Sequence, residues 1–228
     1  SLTTLEGPAG FISQADGQAM LAAADHHLTL VEGLTVRSNA PYSMSDFSSW
    51  GVSPDLRLKP EVTAPGGNIY SSLPEDSYGF MSGTSMATPQ MAGVSAVVLQ
   101  RVQNDPLFAS MSAREKIDVV QNLIMGTATP VVDPLQDTGA PYSPRKQGSG
   151  LTNVLAATTS SVYPTVVGAP EQSRPKADLG DGTKGWHFDV TLHNLSGAEA
   201  TYALSSQALS ENVEGGFFTG KSADWRGK

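Results

Sequence analysis

The stretch YGFMSGTSMATPQMAG, residues 78–93, places one serine among small residues at the start of an apolar segment. From Ser85 to Val102 the apolar residues cover nearly the whole circumference of a helical wheel, which is typical of a buried helix. Pro89 lies in or near the first turn of this helix, where a missing N–H costs least. The stretch therefore predicts a buried helix with Ser85 at its N-terminus, ended by the residues 104–106, Asn-Asp-Pro.

A serine at this position has two interpretations. It can be a plain N-cap, as serines after a glycine often are. It can also be a nucleophile, because the first N–H groups of a helix lack intrahelical partners and the dipole end there is positive. The N–H of Ser85 could then donate to a developing oxyanion, and Gly83 would allow a sharp turn and a close substrate. A serine nucleophile additionally needs a base.

The bulk composition narrows the classes of protein. The chain has 228 residues and a formal net charge of −8, which disfavours a nucleic-acid binder because nothing offsets the phosphate charge. It contains no cysteine, which excludes disulfides, thiolate metal sites and cysteine nucleophiles. No apolar run approaches the roughly 20 residues that span a bilayer.

Several further elements are predicted around the serine. Buried strands are expected at residues 61–64, stopped by Pro65-Gly66-Gly67, and at residues 78–81. A helix should begin at Ser112, where Glu115 completes a capping box, and end at Gly126. Its apolar face is expected to contain Ile117, Val120 and Ile124, and a short helix after residues 148–150 is expected to use Leu151, Val154 and Leu155.

The two ends of the chain have different patterns. Residues 10–34 predict a strand, a turn at Asp16-Gly17, a short helix and another strand. After about residue 160 the period becomes two, and residues 186–192 and 200–204 predict a β-hairpin with one buried face around a turn at 194–197. A β-sandwich usually takes about 100 residues, more than follow residue 160, so we expect the chain to stop inside a domain. Little sequence precedes the helix within residues 10–34 for it to pack against, so we also expect the chain to start inside a domain.

The segment GTSMATP followed by MAG resembles the nucleophile motif of the subtilisin-like serine peptidases, the subtilases. Three flanking segments resemble the same family: SDFSSWG at 45–51, KPEVTAPGG and its continuation at 59–89, and YSPRKQGSGLTNVLAA at 142–157. The resemblance covers residues 39–160. Gln90 departs from the family pattern, in which many members have histidine.

The resemblance implies an α/β fold class and a domain organisation. Residues 39–160 would be the C-terminal part of a subtilisin-like parallel-sheet catalytic domain. Residues 1–38 resemble the tail of a protease-associated domain, and residues 161–228 resemble the beginning of a fibronectin type III-like β-sandwich. This order is similar to that of the cell-envelope proteinases, the lactocepins and the complement-inactivating cell-wall peptidases, which implies a secreted or cell-wall-associated protein.

The resemblance also implies a mechanism, with Ser85 as the nucleophile of an endopeptidase that forms an acyl-enzyme. The family's Asp, His and oxyanion Asn precede the serine, and no matching motif is present here. His26 and His27 are interpreted as surface histidines, and Asp137-Thr138-Gly139 as a turn. The expected partners are protein or peptide substrates, the missing upstream part of the catalytic domain, and further copies of the fragment. The fragment alone is expected to be inactive.

No cofactor is predicted. Many subtilases bind calcium through loop carboxylates, and Asp133 and Asp137 lie in such a loop, but their spacing matches no ligand set. Solvated loop acids are the favoured interpretation.

Two other functions stay open at this point. The chain could be a non-catalytic adhesive or scaffold module with a vestigial subtilase segment, which its acidic surface and β domain would suit. It could also be a different serine hydrolase, because SGTSMA is near the G-x-S-x-G elbow of lipases. Alanine replaces the second glycine of that elbow here, which disfavours the lipase.

Overall fold

The computed structural model divides the chain into two compact units, residues 1–39 and 40–228, which are considered one at a time. The residues that the structure describes are 14–24, 43–134, 139–167, 174–177, 179, 185–206, 209–214 and 217–224.

Five helices and six strands lie within these residues. The helices are α1 (Gln14–Ala22), α2 (Thr84–Asn104), α3 (Ala113–Gly126), α4 (Pro144–Gln147) and α5 (Val154–Thr159), with a 3₁₀ turn at Pro106–Phe108. The strands are β1 (Ile69–Leu73), β2 (Ser77–Met81), β3 (Val162–Val166), β4 (Val190–Asn194), β5 (Leu209–Glu214) and β6 (Phe217–Asp224).

Helix α1 corrects one prediction in the first unit. Asp16 and Gly17 lie inside the helix and do not form a turn. Glycine costs about 1 kcal/mol in a helix interior, and the good helix formers around it, including Ala15, Ala19 and Met20, offset that cost. The strands predicted on both sides lie outside the described residues.

Helix α2 forms where it was predicted, but it is not buried all round. Its fully buried side chains are Val98 and Val102, both in its C-terminal half. Val97, for example, remains 47% exposed. Among the described residues, α3 and α5 are the helices that pack on α2, and they cover one side only. Pro89 is the sixth residue of the helix, just after its first turn, which agrees with the expected place.

Helix α3 is amphipathic and begins with the predicted capping box. Ser112 accepts from the Glu115 N–H, and the Glu115 carboxylate accepts from the Ser112 N–H at 2.7 Å. Val120 and Ile124 are buried as expected, whereas Ile117 is 42% exposed because the buried face contains Val119 and residues 122–125 instead.

The main apolar core lies between α2, α3, α5 and β3. It is formed by Val98, Val102, Phe108, Val119, Val120, Leu123, Ile124, Ala157 and Tyr163. In α5 the expected apolar residue Leu155 is 69% exposed, and Ala157 provides the buried contact. This core supports the C-terminal half of α2.

The strands of the described residues pair antiparallel, as β1–β2, β3–β4 and β5–β6. A single parallel bridge joins Thr63 to Leu151, and Leu151 also forms an antiparallel bridge with Thr129. The strand predicted at 61–64 is therefore reduced to this bridge. Within the described residues, the expected parallel sheet is represented by the Thr63–Leu151 pair alone.

The hairpin predicted between residues 186–192 and 200–204 is wrong. Strand β4 pairs with β3, and residues 201–206 form no strand. The predicted strand at 186–192 overlaps β4 only at residues 190–192, and the apolar side chains there, such as Val190 and Leu192, are exposed. On the opposite face of the sheet, His193 stacks on Tyr163, its cross-strand neighbour in β3.

Candidate active site

Ser85 is the second residue of α2 and is exposed to solvent. Gly83 caps the helix without a side-chain hydrogen bond, and its carbonyl accepts from the Met86 N–H at 3.0 Å. The Ser85 side chain makes no hydrogen bond within the described residues. Gly83, and not Ser85, is the N-cap of α2, so the interpretation of Ser85 as a plain N-cap is wrong.

The N-terminal end of α2 keeps its positive electrostatic character. The first turn holds no acidic residue. Within the described residues, neither the Thr84 N–H nor the Ser85 N–H finds an acceptor. Unpaired N–H groups at the positive end of a helix dipole attract negative charge. The Ser85 N–H is thus available to an oxyanion that forms at the serine.

A short loop, residues 64–67 (the APGG loop), holds this end of α2. The Gly83 N–H donates to the Gly66 carbonyl at 2.8 Å, and Gln90 Nε2 donates to the Pro65 carbonyl at 2.9 Å. The backbone of the APGG loop and the backbone at Gly83 are so close that a Cβ on Gly66 would lie 2.7 Å from the Gly83 oxygen. Only glycine fits at position 66 without displacing the turn that precedes Ser85.

The hairpin β1–β2 leads from the APGG loop to Ser85. Ser82 Oγ accepts from the Asn68 N–H at 2.8 Å, which closes the base of the hairpin. Tyr70 stacks on Tyr78 and contacts Phe80, with ring centroids 5.9 and 4.9 Å apart, and all three rings are exposed. The predicted strand 78–81 exists, but it is not buried.

The structure brings the motif segments together in pairs. Gly51 and Arg145 exchange two hydrogen bonds of 2.8 Å, which joins the SDFSSWG segment to the YSPRKQ segment. The Thr63 N–H donates to the Gly150 carbonyl at 2.8 Å, and the Ser149 N–H donates to the Glu61 carbonyl at 2.8 Å. The segment from 59 to 67 thus contacts both the serine turn and the residues after α4.

The histidines do not supply a base for Ser85 within the described residues. His26 and His27 lie outside them. His187 is exposed, with Nε2 3.4 Å from Asp189. His193 stacks on the buried Tyr163, with ring centroids 4.4 Å apart, and shares a 2.9 Å hydrogen bond with Thr165. Burial lowers the pKa of His193.

One carboxylate has a strongly cationic environment. Glu61 pairs with Lys59, accepts from Arg174 Nη1 at 2.6 Å and lies 3.5 Å from Lys176 Nζ. Burial acts to raise the pKa of Glu61, but the hydrogen bond from Lys59 and the charges of Arg174, Lys59 and Lys176 outweigh it, so the pKa lies below its ordinary value.

The acids considered for calcium have different outcomes. Asp133 is 3% exposed, so the interpretation as a solvated loop acid is wrong for it. Burial and the Asp133 carboxylate beside it raise the pKa of Tyr142. Asp137 lies outside the described residues. Among the residues described, no three His, Cys, Asp or Glu side chains come together as a metal site.

Comparison with known proteins identifies the family. The model of the subtilase family (Peptidase S8) matches residues 20–150, more than half of the chain. The chain belongs to the subtilase family.

Two relatives of this subtilase are bacterial proteinases. The C5a peptidase of Streptococcus pyogenes serotype M1 is 29% identical over 212 residues, which cover 92% of this chain and 17% of that protein. The PII-type proteinase of Lactococcus lactis subsp. cremoris is 35% identical over 209 residues, which cover 86% of this chain and 11% of that protein. The chain thus spans less than a fifth of the length of these relatives.

Among solved structures, the prenylagaramide maturation protease PagA is 29% identical, with a TM-score of 0.36 over 50% of this chain and 36% of that chain. This overlap is too low to support an argument about the fold.

The subtilase motif identified the serine turn but not the contacts that hold it. In the sequence Gln90 stands out only as a departure from the family pattern, whereas in the structure its amide donates to the APGG loop. The signal was its position directly after Pro89, where a polar side chain interrupts an apolar segment.

None of the described helices combines the length and apolar character needed to cross a bilayer.

Proposed function

We propose that this chain carries the nucleophile of an extracellular subtilisin-like serine endopeptidase, with Ser85 as that nucleophile. The observation that carries the proposal is an exposed Ser85 whose hydroxyl and N–H have no partner within the described residues, at a helix end with no acidic residue in its first turn. A structural N-cap would use its hydroxyl on the helix, and Ser85 does not.

The proposed reaction is peptide hydrolysis in two steps. Ser85 Oγ attacks the scissile carbonyl carbon while its proton passes to a general base, and the resulting oxyanion accepts from the Ser85 N–H. The C–N bond then breaks, the base returns the proton to the leaving amine, and water hydrolyses the ester by the same route. The reaction needs no cofactor.

We propose that the base, its carboxylate partner and the side-chain oxyanion donor come from a part of the catalytic domain upstream of these residues. In support, no hydrogen bond links Ser85 to a histidine in the described part of the chain. The 228 residues alone would then be inactive, because a serine hydroxyl without a base is a weak nucleophile.

We assign residues 1–38 to the tail of a protease-associated domain and residues 161–228 to the start of a fibronectin type III-like domain. The relatives named above are proteinases, and the name C5a peptidase states a protein substrate for that relative. We extend from them to this chain a secreted or cell-wall location and protein or peptide substrates.

The test is labelling with a fluorophosphonate, followed by intact mass. It compares these 228 residues with the longest natural protein that contains them, each as wild type, Ser85→Ala and Ser71→Ala. Ser71 is the matched control because it is exposed on β1, in the hairpin that precedes α2, and makes no side-chain hydrogen bond in the described residues.

We expect one label per molecule in the longer protein, lost in Ser85→Ala and retained in Ser71→Ala, and none in the 228 residues alone. Labelling of the short chain that Ser85→Ala abolishes would show that the base lies within it. No labelling of the longer protein, or labelling that survives Ser85→Ala, would overturn the proposal and favour the non-catalytic module.

A further inference from the structure

We propose that Gln90 is a positioning residue for Ser85: its side-chain hydrogen bond to the APGG loop holds the first turns of α2 in the geometry that the nucleophile needs. This inference rests on the proposed function of Ser85. Gln90 does not touch the serine, and its effect would pass through the backbone of the helix and of the loop.

Pro89 creates the need for an external contact. A proline has no N–H, so the Ser85 carbonyl loses the hydrogen bond that residue 89 would otherwise donate to it. The neighbouring Thr84 carbonyl, by contrast, gains a second donor from Thr88 Oγ1 at 3.0 Å. The helix ladder is therefore weakest at the residue that carries the proposed nucleophile.

Gln90 and Gly83 compensate for this loss from the two sides of Ser85. Gly83 donates to the Gly66 carbonyl and Gln90 donates to the Pro65 carbonyl, at 2.8 and 2.9 Å. The two acceptors are consecutive carbonyls of one loop. A single hydrogen bond would allow the helix end to rotate about it, whereas two bonds, one before and one after the serine, fix its orientation.

Within the described residues, packing of α2 on the main core begins only after Gln90, with the partly buried Met91 and Val94 and the fully buried Val98 and Val102. Ser85, Thr88 and Pro89, which precede it, are exposed. Displacement of a catalytic group by about 1 Å can cost about 10²-fold in rate. A small rotation of this end would therefore lower the rate without unfolding the protein.

The experiment compares three variants of the longest natural protein that contains this chain, with Ser85→Ala measured beside them as the test of the proposed function. Gln90→Leu keeps a similar volume and removes the N–H donor. Gln90→His replaces the amide donor with a ring N–H donor, and the His Nε2 lies the same number of bonds from Cα as the Gln Nε2. Gln100→Leu is the matched control, because Gln100 is exposed on the same helix and makes no side-chain hydrogen bond in the described residues.

Two quantities are measured: kcat and KM on a peptide substrate, and hydrogen exchange of the Gly83 amide. We expect Gln90→Leu to lower kcat about tenfold or more with KM within about twofold, and to accelerate Gly83 exchange. Gln90→His should restore most of kcat and slow exchange again, and Gln100→Leu should match the wild type in both.

A kcat within about twofold of wild type in Gln90→Leu, with Gly83 exchange unchanged, would overturn the proposal. Equal losses in Gln90→Leu and Gln90→His, together with a lower Tm in both, would show a packing role and also overturn it. Full activity in Ser85→Ala would instead refute the proposed function, and with it any positioning of a nucleophile. In that case Gly83 exchange would still report whether Gln90 holds the turn.

Discussion

The two halves of α2 are held by different forces. The C-terminal half is buried in the core through Val98 and Val102, and Arg101 donates to the Ala157 and Ser160 carbonyls at 2.8 and 2.6 Å. In the N-terminal half, Ser85, Thr88 and Pro89 are exposed, Met91 and Val94 are only partly buried against the core, and hydrogen bonds connect the helix to the APGG loop. One helix thus joins a packed end to an open end.

This difference shows how stability and reactivity can be separated within one element. Apolar burial supplies most of the free energy of folding and is insensitive to small rotations. Hydrogen bonds add less free energy but depend on direction. Substitutions at the packed end should therefore change stability most, and substitutions at the open end should change geometry most.

The largest effect is expected at the packed end. Leu123→Ala removes a fully buried side chain of α3 that packs in the core with Val98 and Val102. The free energy of unfolding should fall by about 3 kcal/mol, since the lost burial and the cavity both contribute. Urea unfolding followed by tryptophan fluorescence would measure it. The matched control is Ile117→Ala, 42% exposed on the same helix, which should cost less than about 1 kcal/mol.

The second prediction concerns Glu61, which lies in the segment just before the APGG loop. Glu61→Gln should lower the free energy of unfolding by about 2 kcal/mol at pH 7, because charge-assisted hydrogen bonds from Lys59 and Arg174 are lost. The pKa of Glu61 is lowered from 4.5, so its contribution is present above the unfolded pKa and is lost as the pH falls through the folded pKa.

Wild type and Glu61→Gln should therefore differ most above pH 5 and converge as the pH falls below about 4. Urea unfolding over that pH range checks this. Asp55→Asn is the matched control, since Asp55 is exposed and its contacts with Ser53 and Arg57 should contribute little to stability. A difference between wild type and Glu61→Gln that persists at low pH would contradict the assignment to ionisation.

The third prediction compares two glycines, Gly66 beside the open end of α2 and Gly93 within the helix. Gly66→Ala should destabilise by about 1–2 kcal/mol and accelerate Gly83 exchange, because its Cβ would lie 2.7 Å from the Gly83 oxygen. A Cβ on Gly93 meets nothing within 4 Å, so Gly93→Ala should stabilise by about 0.5–1 kcal/mol. Thermal unfolding and hydrogen exchange measure both, and effects of equal sign would contradict the comparison.

The sequence predicted the elements whose signals are local. The capping box of Ser112 and Glu115 and the Asn-Asp-Pro end of α2 depend on neighbouring residues, and both were predicted correctly. The pairing of β4 was wrong, because alternation identifies a strand but not its partner. The burial of α2 was wrong for a similar reason, since an apolar surface does not specify what covers it.

In the candidate site, too, the features that depend on neighbouring residues were predicted and the contacts between distant residues were not. The position of Ser85 at a helix N-terminus followed from a contiguous motif. The contacts of Gln90 with Pro65 and of Gly66 with Gly83 join residues distant in sequence, and no local pattern encodes them. The cations around Glu61 include Arg174, which is 113 residues away.

The smallest expected effect is the pH dependence that His193, beside the core residue Tyr163, gives to the free energy of unfolding. Its ring stacks on Tyr163 and bonds to Thr165, and burial lowers its pKa from 6.5. The unfolded chain then binds a proton more readily than the folded one, so stability should fall by a fraction of a kcal/mol as the pH drops through the unfolded pKa. His193→Phe, which keeps the stacking ring, should abolish this slope between about pH 7.5 and 5.5. His187→Gln, which alters an exposed ring, should keep it. Urea unfolding at both pH values decides the matter, and a slope that disappears in His187→Gln instead would place the titration on the exposed face of β4 and its preceding residues.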